Sequence, residues 1–401
     1  MWRYRDVRAF RPVLIEAGHV VETLMNAIAV SGWTASWHPA PGFVNDCGEL
    51  DPVLGYVVAR DASALENLPT VSVLPEPESS PSGAMRTNPL ISLWITPTSV
   101  RVENHLRGGA GLSVTPPMLD ALAYATPSSR GDRPTTPEEI SIATGADSTA
   151  IESLMRHGVL LSENEGDSLW RQARSWFRHD WFLSLLAHAH EHAGGARESI
   201  GRGPIAPPPP DLPAALDQRR TCRALTGGAL PATAVDQLLT TARFAPTGVR
   251  VVLVLRHNVV AGLASGSYVL DAGEWRPTGN AIPSEEQVRR AAIGQPWACG
   301  FDAEFWVIPS PDAEPGSWEA SLIDCGRLAQ RLALAVSADP AVGVFQSPAL
   351  VDDVLADILK LNSSPDGAYL VGVGVTRDIP HDADRIFRPS QVVVATATGS
   401  P

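Results

Sequence analysis

The chain has 401 residues, of which 44% are hydrophobic and 19% charged, a composition that folds and a length that suits about two or three domains rather than one small binding module. Its formal net charge of −13 denies it the cation excess that phosphate-backbone binding requires, so nucleic acid is not expected as a partner. No apolar run reaches about 18 residues and the first residues lead into no signal-type apolar core, so a cytoplasmic protein with no membrane partner is expected. Cys47, Cys222, Cys299 and Cys325 stand far apart with no CxxC pair, which suits a reducing compartment and neither a zinc cluster nor a disulfide framework.

An internal repeat opens the chain. Leu14-Ile15-Glu16-Ala17-Gly18-His19 begins a helical pattern, and Leu322-Ile323-Asp324-Cys325-Gly326-Arg327 begins another of the same form. Each continues apolar at helical spacing, passes a short strand-like piece and a Pro-Ala pair (Pro39-Ala40, Pro348-Ala349), and ends in a buried-strand pattern at residues 55–60 and 368–373. The shared order implies duplication, with residues 1–62 the rear portion of a domain whose fuller copy is C-terminal.

Pro, Ser and Glu dominate residues 75–89, which read as a linker. A compact unit is expected over 90–165: strands at 90–96 and 100–104, a helix at 118–125, a capping box at Thr136-Pro137-Glu138-Glu139, a helix capped by Asp147, and a strand at 159–161 after Gly158. That order is a helix-turn-helix with a wing. Arg156 is the one firm cation on its second helix, so peptide docking or a structural role suits it better than DNA recognition. Residues 166–200 carry an aromatic-rich amphipathic helix over 168–193, ending in His188, His190, Glu191 and His192. His188 and His192 either begin a metal site or are imidazoles at the negative end of a helix. A Pro-rich linker over 201–213 leads to the last domain, 214–401.

Arg219, Arg220 and Arg223 lie within five residues, around Thr221 and Cys222 and ahead of Gly227-Gly228. Such guanidiniums clamp a phosphate or form a solvated basic cluster. A helix from Thr233 then ends at Ala245-Pro246-Thr247-Gly248, and a strand follows from Val251.

With these pieces in order, the sequence resembles the flavin-dependent nitroreductase superfamily, in particular its SagB-type branch, dehydrogenases that oxidise azolines in ribosomally made peptides. The resemblance rests on the Arg219 run, the turn at Ala245, Gly266-Ser267-Tyr268-Val269-Leu270-Asp271, Ala292-Ile293-Gly294-Gln295-Pro296-Trp297, the helix at Leu322 and the strand at Tyr369. It implies an α+β fold with an antiparallel-rich sheet flanked by helices, a partial second copy at 1–62, and a winged-helix unit between them. It also implies FMN at a dimer interface, held by Arg219, Arg220, Thr221, Arg223, Thr247 and Gly248 in front and by Arg385 and Arg388 behind. The implied partners are a modified precursor peptide, a second dehydrogenase or cyclodehydratase subunit, and a homo- or hetero-dimeric mate.

The sequence departs from this branch at the Lys-Tyr pair that removes the substrate proton. The corresponding stretch reads Trp2-Arg3-Tyr4-Arg5, and an arginine with a pKa above about 12 is no base near neutral pH, which leaves Tyr4 as the proton-relaying candidate. Lys360, the chain's single lysine, lies far from that position, and the loop after Ala245 is short. Two readings stand open: an active FMN-dependent dehydrogenase, and a degenerate relative that serves as a peptide- or partner-binding subunit.

Overall fold

The computed structural model describes residues 7–30, 33–39, 55–61, 83–96, 99–105, 110–127, 134–177, 211–257, 263–310, 318–348, 350–365 and 367–376, together with 185, 186, 189 and 209. The chain opens with a 24-residue helix, α1 (Val7–Val30), which starts upstream of the periodic run at Leu14 and carries Pro12 inside it. Strands β1 (Trp33–Pro39) and β2 (Gly55–Asp61) follow and pair with each other, antiparallel.

Next come β3 (Met85–Thr87), then a three-stranded antiparallel sheet of β4 (Ile91–Ile95), β5 (Val100–Asn104) and β6 (Ala110–Val114), in that spatial order. Helices α2 (Pro116–Tyr124), α3 (Pro137–Thr144) and α4 (Ser148–Arg156) complete the unit with β7 (Leu160–Ser162). Local chemistry sets the helix ends. Glu139 N donates to Thr136 Oγ1 at 3.2 Å while Thr136 N donates to the Glu139 carboxylate at 2.9 Å, a reciprocal cap. Gly145 stops that helix at φ +72°, and Asp147 caps the next by accepting from Ala150 N at 2.8 Å.

The linker expected over 75–89 is corrected at its end. Residues 85–87 are β3, paired antiparallel with β7, and Met85 is wholly buried. The Pro/Ser/Glu bias stops before Gly83, and Met85 instead fills the core formed with Ile140, Leu154 and Leu160. The aromatic helix is α5 (Glu163–Phe177), which begins earlier than expected. It buries Trp176, and Trp170 Nε1 donates to the Thr87 carbonyl at 2.7 Å. His188 and His192 lie outside the described residues.

The last part is built on six strands: β8 (Val249–Leu255), β9 (Gly266–Asp271), β10 (Glu274–Pro277), β11 (Ala303–Pro309), β12 (Val342–Ser347) and β13 (Tyr369–Val375). They run β10-β9-β8-β11-β13-β12, with every neighbouring pair antiparallel. Helices are interleaved: α6 (Leu212–Gln218), α7 (Ala232–Ala242), α8 (Glu285–Ala291), α9 (Trp318–Ser337) and α10 (Asp352–Leu359). Alternation along the strands sorts two cores. Val251, Leu253, Phe305, Val307, Val371 and Val373 meet α7 and α9 on one face, while Val252, Val254, Trp306, Ile308 and Leu370 meet α8 and α10 on the other. Cover on both faces explains why the central strands read as near-continuous apolar runs. The mixed helix-and-sheet class expected from the sequence is the one observed.

Helix α9 is buried nearly all round, its polar Asp324, Arg327, Gln330 and Arg331 included. The sheet covers one side and α1 lies along the other, so no flank is left for solvent.

Candidate functional site

The arginine-rich segment leaves α6 and runs along the free edge of β12. Thr221 pairs in parallel with Val344, Cys222 N donates to the Val344 carbonyl at 2.7 Å, and Thr226 N donates to the Val375 carbonyl at 2.9 Å. Gly343 permits this approach, since a Cβ there would lie 2.9 Å from Cys222 Sγ.

Arg219, at the end of α6, donates from Nη1 to Gln346 Oε1 on β12 at 3.1 Å. Gln346 belongs to the α9-covered face, two residues beyond Val344. On β13, Tyr369 faces the same way, and the His19 ring of α1 meets it edge-on at 4.9 Å. His19 Nε2 and Gln346 Nε2 are both sealed from solvent and have no hydrogen-bond partner among the described residues. Burial first, and then the nearby Arg219 cation, hold the His19 imidazole down at about 3 from its ordinary 6.5, so the ring is neutral at pH 7. A guanidinium, a carboxamide and a neutral imidazole thus gather at one end of the sheet.

The other sequence-predicted residues fall as follows. Arg220 and Thr221 are exposed. Arg223 is exposed too, with Cζ 4.9 Å above the Trp297 ring. Trp297 packs on the core beneath α8 and α10, so Arg219 and Arg223 are not brought together but lie against opposite faces of the sheet edge. Thr247 is exposed in the turn before β8, and Gly248 accepts from Ser310 N at 2.8 Å. A Cβ on Gly248 would come within 3.1 Å of Ser321 Oγ in the first turn of α9, so the turn abuts that helix. The pairings Val249 with Pro309, Val307 with Tyr369 and Leu370 with Ser347 place Gly248, Tyr369 and Gln346 along the same end of the sheet. Tyr4, Arg385 and Arg388 lie outside the described residues.

Sequence reasoning missed His19, Gln346, Tyr369 and Trp297. A signal existed for one of them: Gln346 interrupts the otherwise apolar run Val342-Gly343-Val344-Phe345. The described residues hold no group of three or more His, Cys, Asp or Glu placed to bind a metal. Cys325, fully buried, has its thiol pushed well up by burial and by Asp324, which removes thiolate nucleophilicity. Among the described residues no helix is long and apolar enough to cross a membrane.

Residues 216–375 match the model of the nitroreductase family. No curated protein matches the chain. Among solved structures, a candidate nitroreductase from Anabaena variabilis is 21% identical, with 50% of this chain aligned to 48% of that one at a TM-score of 0.38, so the chain spans about half its length. One from Ralstonia eutropha is 18% identical over 45% of this chain and 94% of that one, TM-score 0.34. A nitroreductase family protein from Clostridium novyi is 13% identical over 43% and 88%, TM-score 0.31. The stretch that matches the nitroreductase family model is the one that carries the sheet from β8 to β13 with the Arg219 segment at its edge.

Proposed function

We propose that this domain binds FMN and acts as an oxidoreductase that converts an azoline residue of a ribosomally synthesised peptide to the azole. The observation that carries the reading is the polar cluster at Arg219. A sealed Gln346 Nε2 donor and an imidazole nitrogen, neither with a partner among the described residues, beside a guanidinium, suit an electron-rich, oxygen-bearing ligand, so the residues present fit a flavin nucleotide. Bound FMN supplies a two-electron acceptor for the hydride lost from the substrate carbon.

The chain's own part is binding, orientation and proton handling. Arg219 supplies positive charge to the ligand and is itself held by Gln346. Arg220, Thr221 and Arg223 lie exposed on the same segment and are assigned to the ligand's anionic group, with Arg385 and Arg388 assigned the rear of that grip. Thr247 and Gly248 form the turn against α9 that borders the site. Loss of hydride leaves a proton to be taken from the azoline, and Tyr4 is assigned its relay, because the adjacent arginines stay protonated at neutral pH.

A peptide substrate is favoured by the unit at 90–165, which we read as a winged helix. Its strand β4 is an edge of the three-stranded sheet and exposes Leu93, Trp94 and Ile95, the last by 76%. An extended peptide adds to such an edge through main-chain hydrogen bonds, with side-chain specificity from the apolar row. The test is the visible spectrum of the purified chain with and without added FMN, followed by turnover of an azoline-bearing peptide. A preparation that shows no flavin band and acquires none defeats the reading.

A further inference from the structure

The two repeat copies meet in the structure, and they meet reciprocally. A Cβ on Gly18 would strike the Ile323 carbonyl oxygen, and a Cβ on Gly326 would strike the Ile15 carbonyl oxygen. In the repeat Gly18 is the equivalent of Gly326, and Ile15 of Ile323. The polar contacts obey the same exchange. Glu22 accepts from Arg331 Nε at 2.6 Å, and Gln330 Nε2 donates to Thr23 Oγ1 at 3.0 Å, where Glu22 is the equivalent of Gln330 and Thr23 of Arg331. Reciprocal contacts of this kind, i with j and the equivalent of j with the equivalent of i, are the mark of a two-fold axis. The elements follow in the same order as well: helix α1 then the antiparallel pair β1–β2, helix α9 then the antiparallel pair β12–β13.

We infer that α1 stands where α9 of a second copy would stand, so that one chain is an internal pseudo-dimer whose flavin site at Arg219 is closed in cis by His19. Two consequences follow from the geometry. The face of α9 that an identical partner would use is already covered, so this face drives no self-association. Among the described residues the arginine segment and β8 to β11 belong to the C-terminal copy, so the Arg219 end is the one equipped to hold a nucleotide. His19 reaches that end from α1, against Tyr369 and beside Arg219, with Nε2 sealed and without a partner among the described residues, and the carboxamide nitrogen of Gln346 is in the same condition. His19 is therefore a ligand-contacting residue contributed by the duplicated segment, whereas its equivalent in the full copy, Arg327, is tied to Glu22 and Asp324.

The inference extends the FMN reading, and its test separates the two. Light scattering on the intact chain measures mass, and flavin fluorescence quenching measures affinity and stoichiometry. The expected result is a particle of 42.6 kDa that binds one FMN per chain. His19→Ala should weaken FMN by roughly 10-fold with the mass unchanged, while His19→Gln, which keeps a polar nitrogen on a similar reach, should stay within about threefold of the wild type. Circular dichroism checks that both variants fold. A wild-type particle of twice the mass, two FMN per chain, or unaltered affinity in a folded His19→Ala variant would each overturn the inference while leaving the FMN reading in place. A monomer that takes up no flavin overturns the FMN reading and the ligand role of His19 together, and leaves the pseudo-dimer standing on its mass.

Discussion

Gly18 of α1 and Gly326 of α9 face each other across the helix crossing, so close that a Cβ on Gly18 would lie 3.0 Å from Gly326 Cα. Neither backbone can accept a methyl group there, because the nearest atoms are main-chain carbonyls rather than flexible side-chain tips. The approach brings Glu22 between Arg327 and Arg331 and sets His19 against Tyr369, so the packing of two glycines governs both a buried charge cluster and the candidate site.

Gly326→Ala is expected to cost about 3 kcal/mol of stability, since a methyl forced against helix backbone shifts the crossing instead of being absorbed by a rotamer change. Urea denaturation followed by circular dichroism measures it. Gly145→Ala, at a left-handed helix terminus with open space around it, is expected to cost less, about 1 kcal/mol, through backbone strain alone.

Glu22 is 5% exposed and answers two buried guanidiniums, Arg327 Nε at 3.2 Å and Arg331 Nε at 2.6 Å. Glu22→Ala should destabilise the fold by about 3 to 5 kcal/mol, because it strands positive charge in the interior. Replacing Glu22, Arg327 and Arg331 together with apolar residues of similar volume should recover much of that loss. A triple variant as unstable as the single one would show that charge burial is not the cause.

Arg219→Ala should weaken FMN by roughly 10- to 100-fold, the loss of one charge-assisted contact, and Arg223→Ala by only a few-fold, because Arg223 sits over Trp297 away from Gln346. Titration of flavin fluorescence ranks them. Equal losses would place the nucleotide on the exposed arginines rather than at the Gln346 cluster. Tyr4→Phe is expected to slow turnover and leave flavin affinity unchanged.

Two buried groups give stability slopes of opposite sign with pH. His19 is held at about 3 against an ordinary 6.5, so the unfolded chain binds the extra proton and the fold loses stability as pH falls from 6.5 toward 3. The Asp324 carboxyl is pushed up to about 6 from 3.8, chiefly by burial against the counter-pull of Arg327. Its stabilising contribution is present in the protonated form below 3.8 and is lost as pH rises through about 6. Thermal melts across this range should show His19→Gln resisting acid better than the wild type, and Asp324→Asn losing less stability between pH 3.8 and 6.

Much of the architecture could be read along the chain because it depends on neighbours in sequence. The reciprocal cap at Thr136 and Glu139, the left-handed stop at Gly145 and the Asp147 cap are contacts within a few residues, and the helices begin and end there. The apolar strands at Val251 and Tyr369 were equally legible, since burial on both faces leaves a continuous run. β3 was not, because three residues next to a Pro/Ser/Glu stretch carry no periodicity and become a strand only by pairing with β7, some 75 residues away.

The amino-acid order alone gave the likeness between the runs at Leu14 and Leu322 and the arginine cluster, since both are patterns of residue type. Only the tertiary structure decided what these segments do to each other: that α1 and α9 cross at Gly18 and Gly326, that His19 arrives beside Arg219, and that Arg219 and Arg223 part to opposite faces of one sheet edge. The physical reason is that these contacts join residues up to about 300 positions apart, and their geometry follows from how closely two helices pack, which no local pattern encodes.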